Sequence, residues 1–438
     1  MRYKRIAQHQ ILNMKKTIDQ ALVREANLSL VLRNIHYQAP ISRAKLAVVT
    51  ELNKSTVSSL VEDLLARGLV HEVGVNSKGT GRPATLLEIN PQAGGVIGAE
   101  LGVDFVAAAL MNFAGQVLWR QKVSADPFEE QTKTIKQTLA LVDEAIGHCR
   151  ELGLRVLGLG LAAPGTVDLQ EGVMVFSPNL RWRDVSLRKI FSEHTGVRVF
   201  IENDANAAAV AEHLFGVMRQ VRDFVFIYAG VGVGGGLFLN GKLYRGYNGY
   251  AGEIGHIAIM AEEHDELCLC GNAGCWETYA NQRAVIREVE AALAAGRAQK
   301  IAERMSEKNE TVLTLSTIHQ AAEAGDETAV RAFEKVGRAM GLGIAGIVNI
   351  FNPEKVVIGG ALSAANKYLL PAVREVVRQR ALNDVLKRTD VISSVFGDDA
   401  SLFGAVAIVV EDIMWNPSSV DYERRRRQRP ALTRFEPL

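Results

Sequence analysis

The sequence lacks two features that would place it at or beyond a membrane. In its 438 residues no apolar run reaches the length of a membrane span, and the first residues lack the apolar core of a signal peptide. Cysteine is also scarce: three of the four cysteines lie in one short cluster, leaving only Cys149 elsewhere. This distribution is typical of a reducing compartment. We therefore expect a cytoplasmic protein with no membrane partner.

Net charge is nearly absent as well, at +1, but it is unevenly distributed. Residues 1–90 contain thirteen Lys or Arg and seven Asp or Glu, a balance of +6, which leaves −5 for the remaining chain. A basic segment on a mildly acidic body indicates a polyanionic partner for that segment. A lysine-rich solvated face would give the same count.

The basic segment has the pattern of a helix-turn-helix. Helical spacing of apolar residues predicts a helix over Asp19–Tyr37, which Pro40 ends, and Ser42 then caps a short helix over Arg43–Val49. A further helix starts near Asn53 and ends at Gly68, a suitable C-terminal cap. Two short helices joined by a tight turn form this DNA-binding motif.

A β-hairpin is predicted next, with β-prone runs over Leu69–Val73 and Arg82–Ile89 around a Gly-rich tip. It would form the wing of a winged helix-turn-helix, with an arginine placed for a narrow minor groove. The alternative is a small helical oligomerisation module with solvated serines. The predicted DNA-contacting residues are Arg43, Lys54, Ser55, Thr56, Ser58, Ser59 and Arg82.

A cluster of soft ligands lies in the middle of the chain. Cys268, Cys270 and Cys275 fall within eight residues, and His256 lies twelve residues upstream. Three thiolates and an imidazole suit a tetrahedral metal ion, zinc above all. A Cys268–Cys270 disulfide would be strained at that spacing, and a chance cluster of structural thiols is the other alternative.

The body after residue 90 shows a duplicated pattern. Three strands are predicted over 95–123, then a helix over Glu129–Glu151 and a buried strand from Arg155. The same order of strands recurs over Asp223–Arg245, with its single buried strand at Glu354–Gly360. Duplicated halves of this kind indicate two similar α/β lobes with a cleft between them, the architecture of actin-like sugar kinases.

Three stretches are candidates for lining this cleft. Gly230–Gly236 would let backbone amides approach a phosphate, although it could simply close a hairpin. Ile201–Asn206 places polar residues between a strand and a helix, a common ligand position, where Asn203 or Asp204 could instead be an N-cap. Ser177–Trp182 offers an amide and an indole on a loop.

Together these motifs resemble the ROK family of bacterial sugar repressors and sugar kinases. The Cys268–Glu277 stretch resembles the family's zinc signature, and Ile227–His256 its glycine-rich signature. The helix-turn-helix front end resembles the xylose-repressor-type members. The resemblance implies the duplicated, ribonuclease H-like fold of this family's sugar kinases behind an N-terminal winged helix-turn-helix.

The resemblance also implies residue roles. A structural zinc ion would be held by His256, Cys268, Cys270 and Cys275, and sugar hydroxyls would be bound by Asn179, Asn203, Asp204, Glu253, His256 and Glu277. In kinases of the family the residue matching Asp204 is the general base. The turn Glu100–Asp104 departs from the kinase pattern, because the carboxylate of Asp104 would repel a polyphosphate.

We therefore expect a sugar-responsive repressor of carbohydrate-utilisation genes that has no catalytic residues, with an ATP-dependent sugar kinase carrying a DNA-binding domain as the alternative. Its partners would be operator DNA, a pentose or hexose effector and one or three further copies of the chain, and on DNA it would lie in the nucleoid. The predicted units are residues 1–90, a first lobe over 91–208 completed by a helix at about 400–415, a second lobe with the zinc site and oligomerisation helices over 209–399, and a disordered basic tail over 416–438.

Overall fold

The computed structural model describes residues 2–76, 84–126, 130–259, 267–307 and 311–420. No helix in these ranges is long and apolar enough to cross a bilayer. Arg82 and the arginine-rich tail beyond residue 420, both singled out by the sequence, lie outside the described residues.

The N-terminal segment contains three helices and a small antiparallel sheet with strand order β1–β3–β2 among its described residues. Its elements are α1 (Arg2–Gln38), β1 (Ile41–Ser42), α2 (Arg43–Thr50), α3 (Lys54–Ala66), β2 (Val70–Asn76) and β3 (Ala84–Ile89). The predicted helices and hairpin strands are therefore present. Helix α1 starts seventeen residues before the predicted Asp19, in a stretch without glycine or proline to interrupt it.

Local capping defines the short helices as the sequence indicates. Ser42 caps α2 by accepting a hydrogen bond from the Lys45 amide at 3.2 Å. Asn53 caps α3 by accepting from the Thr56 amide at 2.8 Å, and Gly68 follows α3 with φ +70°. Ser42 and Gly68 thus mark the outer ends of the helix pair, and Asn53 marks the end of the turn between α2 and α3.

The first lobe is built on a five-stranded sheet with order β11–β7–β4–β5–β6. Strands β4 to β6 form an antiparallel meander, and β7 and β11 run parallel to β4. The elements are β4 (Gly95–Leu101), β5 (Phe105–Asn112), β6 (Val117–Ser124), α4 (Gln131–Glu151), β7 (Val156–Ala163), β8 (Thr166–Asp168), β9 (Val173–Ser177), β10 (Trp182–Val185), α5 (Leu187–Thr195), β11 (Val199–Asn203) and α6 (Asp204–Leu214).

The second lobe repeats this topology in a sheet with order β14–β13–β12–β15–β16. The elements are β12 (Phe224–Ala229), β13 (Val233–Leu239), β14 (Lys242–Leu243), α7 (Trp276–Ala280), α8 (Gln282–Ala294), α9 (Gln299–Glu307), α10 (Leu315–Glu323), α11 (Glu327–Phe351), β15 (Lys355–Gly359), α12 (Asn366–Arg380), α13 (Asn383–Leu386), β16 (Asp390–Ser393) and α14 (Ala400–Trp415). An antiparallel meander followed by two parallel strands occurs in both lobes, so the predicted duplication is confirmed.

Helix α6 lies where the two lobes and α14 meet, and small residues make this possible. A Cβ on Gly404 of α14 would lie 2.2 Å from the carbonyl of Ala207, and one on Gly236 of β13 would lie 2.5 Å from the oxygen of Ala205. Both alanines are fully buried. Helix α14 therefore returns to the first lobe, as the sequence predicts.

The N-terminal segment shares an apolar core with this junction. Leu32 and Ile35 of α1 belong to the same cluster as Val210 of α6 and Ile413 of α14. The predicted start of the disordered tail at residue 416 is wrong. Residues 416–420 pack against the N-terminal segment, and Val420 is buried in this core. In addition, the Val420 carbonyl accepts a hydrogen bond from Arg67 at 3.3 Å.

Polar contacts join the end of α6 to the end of α1. His36 donates from Nε2 to the Leu214 carbonyl at 3.2 Å. His213 donates from Nδ1 to the Met218 carbonyl at 3.3 Å, so its Nε2 accepts from the Tyr37 hydroxyl at 2.9 Å. Burial lowers the pKa of both histidines to about 4.

We expect this contact to weaken in acid. The folded pKa values lie below the ordinary 6.5, so the neutral imidazoles are favoured by folding, and stability falls as the pH drops from 6.5 towards 4. At pH 5 each histidine would cost at most about 2 kcal/mol. Thermal denaturation of the wild type and His213→Gln between pH 7 and pH 5 checks this. The exposed His194→Gln is the control, and an unchanged pH dependence in His213→Gln would contradict the assignment.

Candidate functional site

The cleft between the lobes forms a cavity with an empty volume of about 1040 Å³ including its open mouth. All six predicted sugar-binding residues line it: Asn179, Asn203, Asp204, Glu253, His256 and Glu277. They come from four separate stretches of chain, which the two sheets bring together. Their role in sugar binding remains a prediction, although the structure gives them one common location.

Asn203 and Asp204 lie where β11 ends and α6 begins. The side-chain oxygen of Asn203 accepts from the amides of Ala205 and Asn206 at 3.0 and 3.1 Å, and its nitrogen donates to the Gly165 carbonyl. Asn203 is thus the N-cap of α6, as the alternative interpretation held, and its amide nitrogen is the group that could still contact a ligand. Burial raises the pKa of Asp204 to about 7.

Asn179 and Glu277 approach each other from different lobes across Gly232. A Cβ on Gly232 would lie 2.9 Å from Glu277 Oε2 and 3.0 Å from Asn179 Nδ2. Glu277 Oε2 also accepts from the Val233 amide at 3.3 Å. A donor and an acceptor therefore converge at this point of the cleft. They can approach so closely because Gly232 has no side chain.

The four predicted metal ligands also converge. The ligand atoms of His256, Cys268, Cys270 and Cys275 all lie within 4.8 Å of one another. The Cys270 and Cys275 sulfurs are 3.7 Å apart, and the Cys268 sulfur is 3.6 Å from His256 Nδ1. Tetrahedral zinc with Zn–S bonds of about 2.3 Å sets sulfur atoms about 3.8 Å apart, so the cluster could hold such an ion.

The backbone around the cluster supports this geometry. Gly271 and Gly274 have φ values of +98° and +70°, so both occupy the left-handed region as the tight loop requires. The Cys270 amide points at the Cys268 sulfur at 3.5 Å. Burial raises the pKa of the Cys268 thiol, which donates to Glu277 Oε1 at 2.9 Å, and the Cys270 amide opposes that rise.

His256 connects the cluster to the cleft. Its Nδ1 faces Cys268 and lies 3.8 Å from Glu277 Oε1, whereas its Nε2 lies 3.8 Å from Glu253 Oε2 at the cleft surface. Burial raises the pKa of the Glu253 carboxyl, His256 opposes the shift and Glu277 adds to it. An ion on Nδ1 would thus hold the imidazole so that its other nitrogen faces the cavity.

The turn between β4 and β5 crowds the opposite wall of the cleft. The Phe105 ring packs against Gly102, where a Cβ would lie 2.5 Å from a ring carbon, and Lys122 lies 3.5 Å from the ring centre. Asp104 accepts from Gln282 across the cleft at 3.4 Å. Burial raises the pKa of the nearby Glu100 well above its usual value.

Several residues that line the cleft were given no binding role by the sequence predictions. Ser177 Oγ and Asn206 Oδ1 are buried without a hydrogen-bond partner among the described residues, and both side chains line the cavity. Asn206 and Glu202 flank Asn203 and Asp204 in sequence, which was the available signal. Asp398 lies in no motif, and Tyr228 lies in the glycine-rich signature but was given no role; the fold brings both to the cleft.

The predicted DNA-contacting residues cluster around the start of α3. Lys54, Ser55 and Ser59 are exposed, and Thr56 and Ser58 are half-buried. Arg43 on α2 is instead paired with Glu72 of β2 at 3.0 Å. DNA contact by these residues remains a prediction.

Comparison with known proteins identifies the family. Residues 96–412 match the ROK family. The chain belongs to it. The chain is 34% identical to the xylose repressor of Caldicellulosiruptor bescii, over 91% of this chain and 99% of that protein.

Two solved structures of the ROK family are similar over most of their own length. One is a ROK family transcriptional regulator described as a homologue of the E. coli MLC protein, with a TM-score of 0.72, 28% identity and coverage of 91% and 99% of the two chains. The other is a ROK glucokinase from Streptomyces griseus in complex with glucose and AMPPNP, with a TM-score of 0.65, 31% identity and coverage of 72% of this chain and 99% of that one.

Metal analysis checks the cluster directly. We expect about one zinc ion per chain in purified protein, by elemental mass spectrometry, and a marked loss in Cys270→Ser, because three ligands hold the ion more weakly than four. Cys149→Ala is the control, since Cys149 lies in the core of the first lobe. Equal metal content in the wild type and Cys270→Ser would contradict the assignment.

Proposed function

We propose that this protein is a sugar-responsive transcriptional repressor of carbohydrate-utilisation genes. The N-terminal segment would act as a winged helix-turn-helix on operator DNA, and a pentose or hexose would bind between the lobes. The xylose repressor relative, aligned over nearly its full length, supports this assignment and favours a pentose. The structural observation that best supports a sugar as the effector is the charge of the cleft.

Carboxylates dominate the described lining of the cleft, which contains no Lys or Arg side chain. The acidic residues are Glu100, Asp104, Glu202, Asp204, Glu253, Glu277 and Asp398. Phosphate groups are recognised by cations, by free helix N-terminal amides or by glycine-rich turns. Here Asn203 already caps α6, and in the Gly230–Gly236 turn the amides of Gly230, Val233 and Gly235 already donate to protein oxygens. Carboxylates and amides suit the hydroxyls of an uncharged sugar, so the proposed effector is not phosphorylated.

Structural zinc would support this site. All four positions around the ion would be filled by protein ligands, which would leave no open coordination position for catalysis. The ion would hold the loop that carries Glu253, His256 and Glu277 against the cleft. Zinc would therefore shape the sugar site without contacting the sugar.

DNA binding would use the exposed start of α3. Lys54 and the nearby hydroxyls are suited to phosphates and base edges in a major groove. The chain would act as a homodimer or homotetramer that reads half-sites one helical turn or its multiple apart. A small change in subunit geometry would then prevent simultaneous contact with both half-sites.

Sugar binding tests the proposal. We expect D-xylose or D-glucose, but not their phosphate esters, to raise the melting temperature and to alter binding to DNA selected by the protein from a random library. Asp204→Asn should weaken sugar binding roughly 10- to 100-fold, because it removes a charged acceptor. Asp143→Asn, which changes an exposed carboxylate, is the control. Tighter binding of a phosphate ester, or no effect of any sugar, would contradict the proposal.

A sugar kinase is the second candidate, favoured by the pKa of about 7 at Asp204, which suits a general base. Against it, the turn before Phe105 departs from the kinase pattern, and the carboxylate of Asp104 on the cleft wall would repel a polyphosphate. We expect no sugar-dependent ATP hydrolysis in a coupled assay with pentoses and hexoses. Turnover of roughly 1–100 s⁻¹ would establish the kinase instead.

A further inference from the structure

We propose that Arg245 is the positioning residue that couples the sugar site to the N-terminal segment. Arg245 follows β14 in the second lobe, lies behind the cleft, and is absent from its lining. It contacts both edges of the proposed sugar site and also borders a second cavity against α1. The inference rests on the proposed function, because it assigns the regulation of that same site.

The side chain of Arg245 holds the first-lobe edge of the site. Its Nε and Nη2 donate to Glu202 Oε2 at 3.0 and 2.7 Å. The other oxygen of Glu202 accepts from the Asn203 amide at 3.1 Å and from Asn206 Nδ2 at 3.2 Å. Glu202 is buried whereas the Arg245 side chain is 35% exposed, so this ion pair joins the two lobes and is only partly shielded from water.

The backbone of Arg245 holds the second-lobe edge. Its carbonyl accepts from the Ala251 amide at 3.0 Å. Ala251 is followed by Gly252, which packs so tightly that a Cβ there would lie 2.1 Å from the Gly235 oxygen. Glu253 comes next, so the position of Arg245 is linked through a short, crowded segment to a carboxylate of the cleft.

The same arginine lines the cavity between the body and α1. This cavity is also lined by Arg33 of α1 and Glu411 of α14. Burial raises the pKa of Glu411, and the charges of Arg245 and Arg33 both oppose that shift, so the carboxylate interacts with an arginine of each unit. Arg33 in turn stacks on Trp415 of α14, 3.9 Å from its ring centre.

A change at the cleft would therefore reach α1 through two routes that start side by side. Helix α6 starts at Asp204 in the cleft and ends at Leu214 against His36. Arg245 crosses from Glu202 to the charged cavity at Arg33. Because Arg245 joins Glu202 of the first lobe to Ala251 of the second, any shift of one lobe against the other that a bound sugar produces would either alter this pair or move the loop after β14. That movement would change the electrostatic environment of Arg33 and hence the position of α1 against the body.

The test is the coupling between sugar and DNA in the full-length protein. Coupling is the factor by which selected DNA changes the Kd for D-xylose or D-glucose, and linkage makes it equal to the effect of the sugar on DNA affinity. Regulatory proteins show factors of roughly 5 to 150. We expect such a factor in the wild type and a factor within about twofold of unity in Arg245→Gln, with the sugar Kd of the free protein changed by less than about tenfold.

Two further variants make the result specific. Arg245→Lys keeps the charge and one hydrogen bond to Glu202, so it should retain part of the coupling and verify that the fold tolerates substitution. Arg198→Gln is the matched control. Arg198 is a first-lobe arginine that also forms an ion pair, with Asp412 at 3.0 Å, but its side chain is exposed. It should couple like the wild type.

The outcomes separate this inference from the proposed function. Full coupling in Arg245→Gln overturns the role of Arg245 and leaves the proposed function intact. Complete loss of sugar binding in Arg245→Gln and Arg245→Lys also overturns it, because Arg245 would then only maintain the site. A wild type that binds no sugar removes the proposed function, and this inference with it.

Discussion

The structure depends on how closely the backbone can approach helix α6. Its alanines contact Gly236 of the second-lobe sheet and Gly404 of α14 at distances that leave no room for a side chain on either glycine. Contacts this short fix the orientation of the helix, because a small rotation would produce backbone clashes rather than a gradual loss of packing. The two lobes, α14 and the N-terminal segment are therefore arranged around one rigid element.

The polar groups of the cleft depend on that element. The N-cap at Asn203 places Asp204 at the end of β11, while the cluster of His256 and three cysteines holds the facing loop. Neither feature alone makes a ligand site. Between them they bring carboxylates from both lobes to one cavity, at an energetic cost that is visible in the raised pKa of Asp204 and Glu253. Hydroxyl groups of an uncharged ligand would provide those carboxylates with hydrogen-bond donors.

The N-terminal segment packs directly against the rest of the chain and is not a separate domain on a linker. Leu32 and Ile35 are buried in a core that includes residues of α6 and α14, and Val420 closes the same core from the C-terminal side. Such continuity gives the segment a defined position relative to the cleft. Charged and polar groups, including His36, Arg33 and Glu411, also lie at this junction.

Local features of the sequence determined the helices of the N-terminal segment, the duplicated strand order and the metal cluster. Caps at Ser42 and Asn53, apolar periodicity and close cysteine spacing act over a few residues, so one chain is enough to recognise them. Family resemblance supplied the six cleft residues, and the structure gives them one location. Only the tertiary structure showed that Arg245 pairs with Glu202, that Asp398 lines the cleft, and that residues 416–420 join the N-terminal core. These contacts join residues far apart in sequence, and no local pattern encodes which distant partner a buried charge will find.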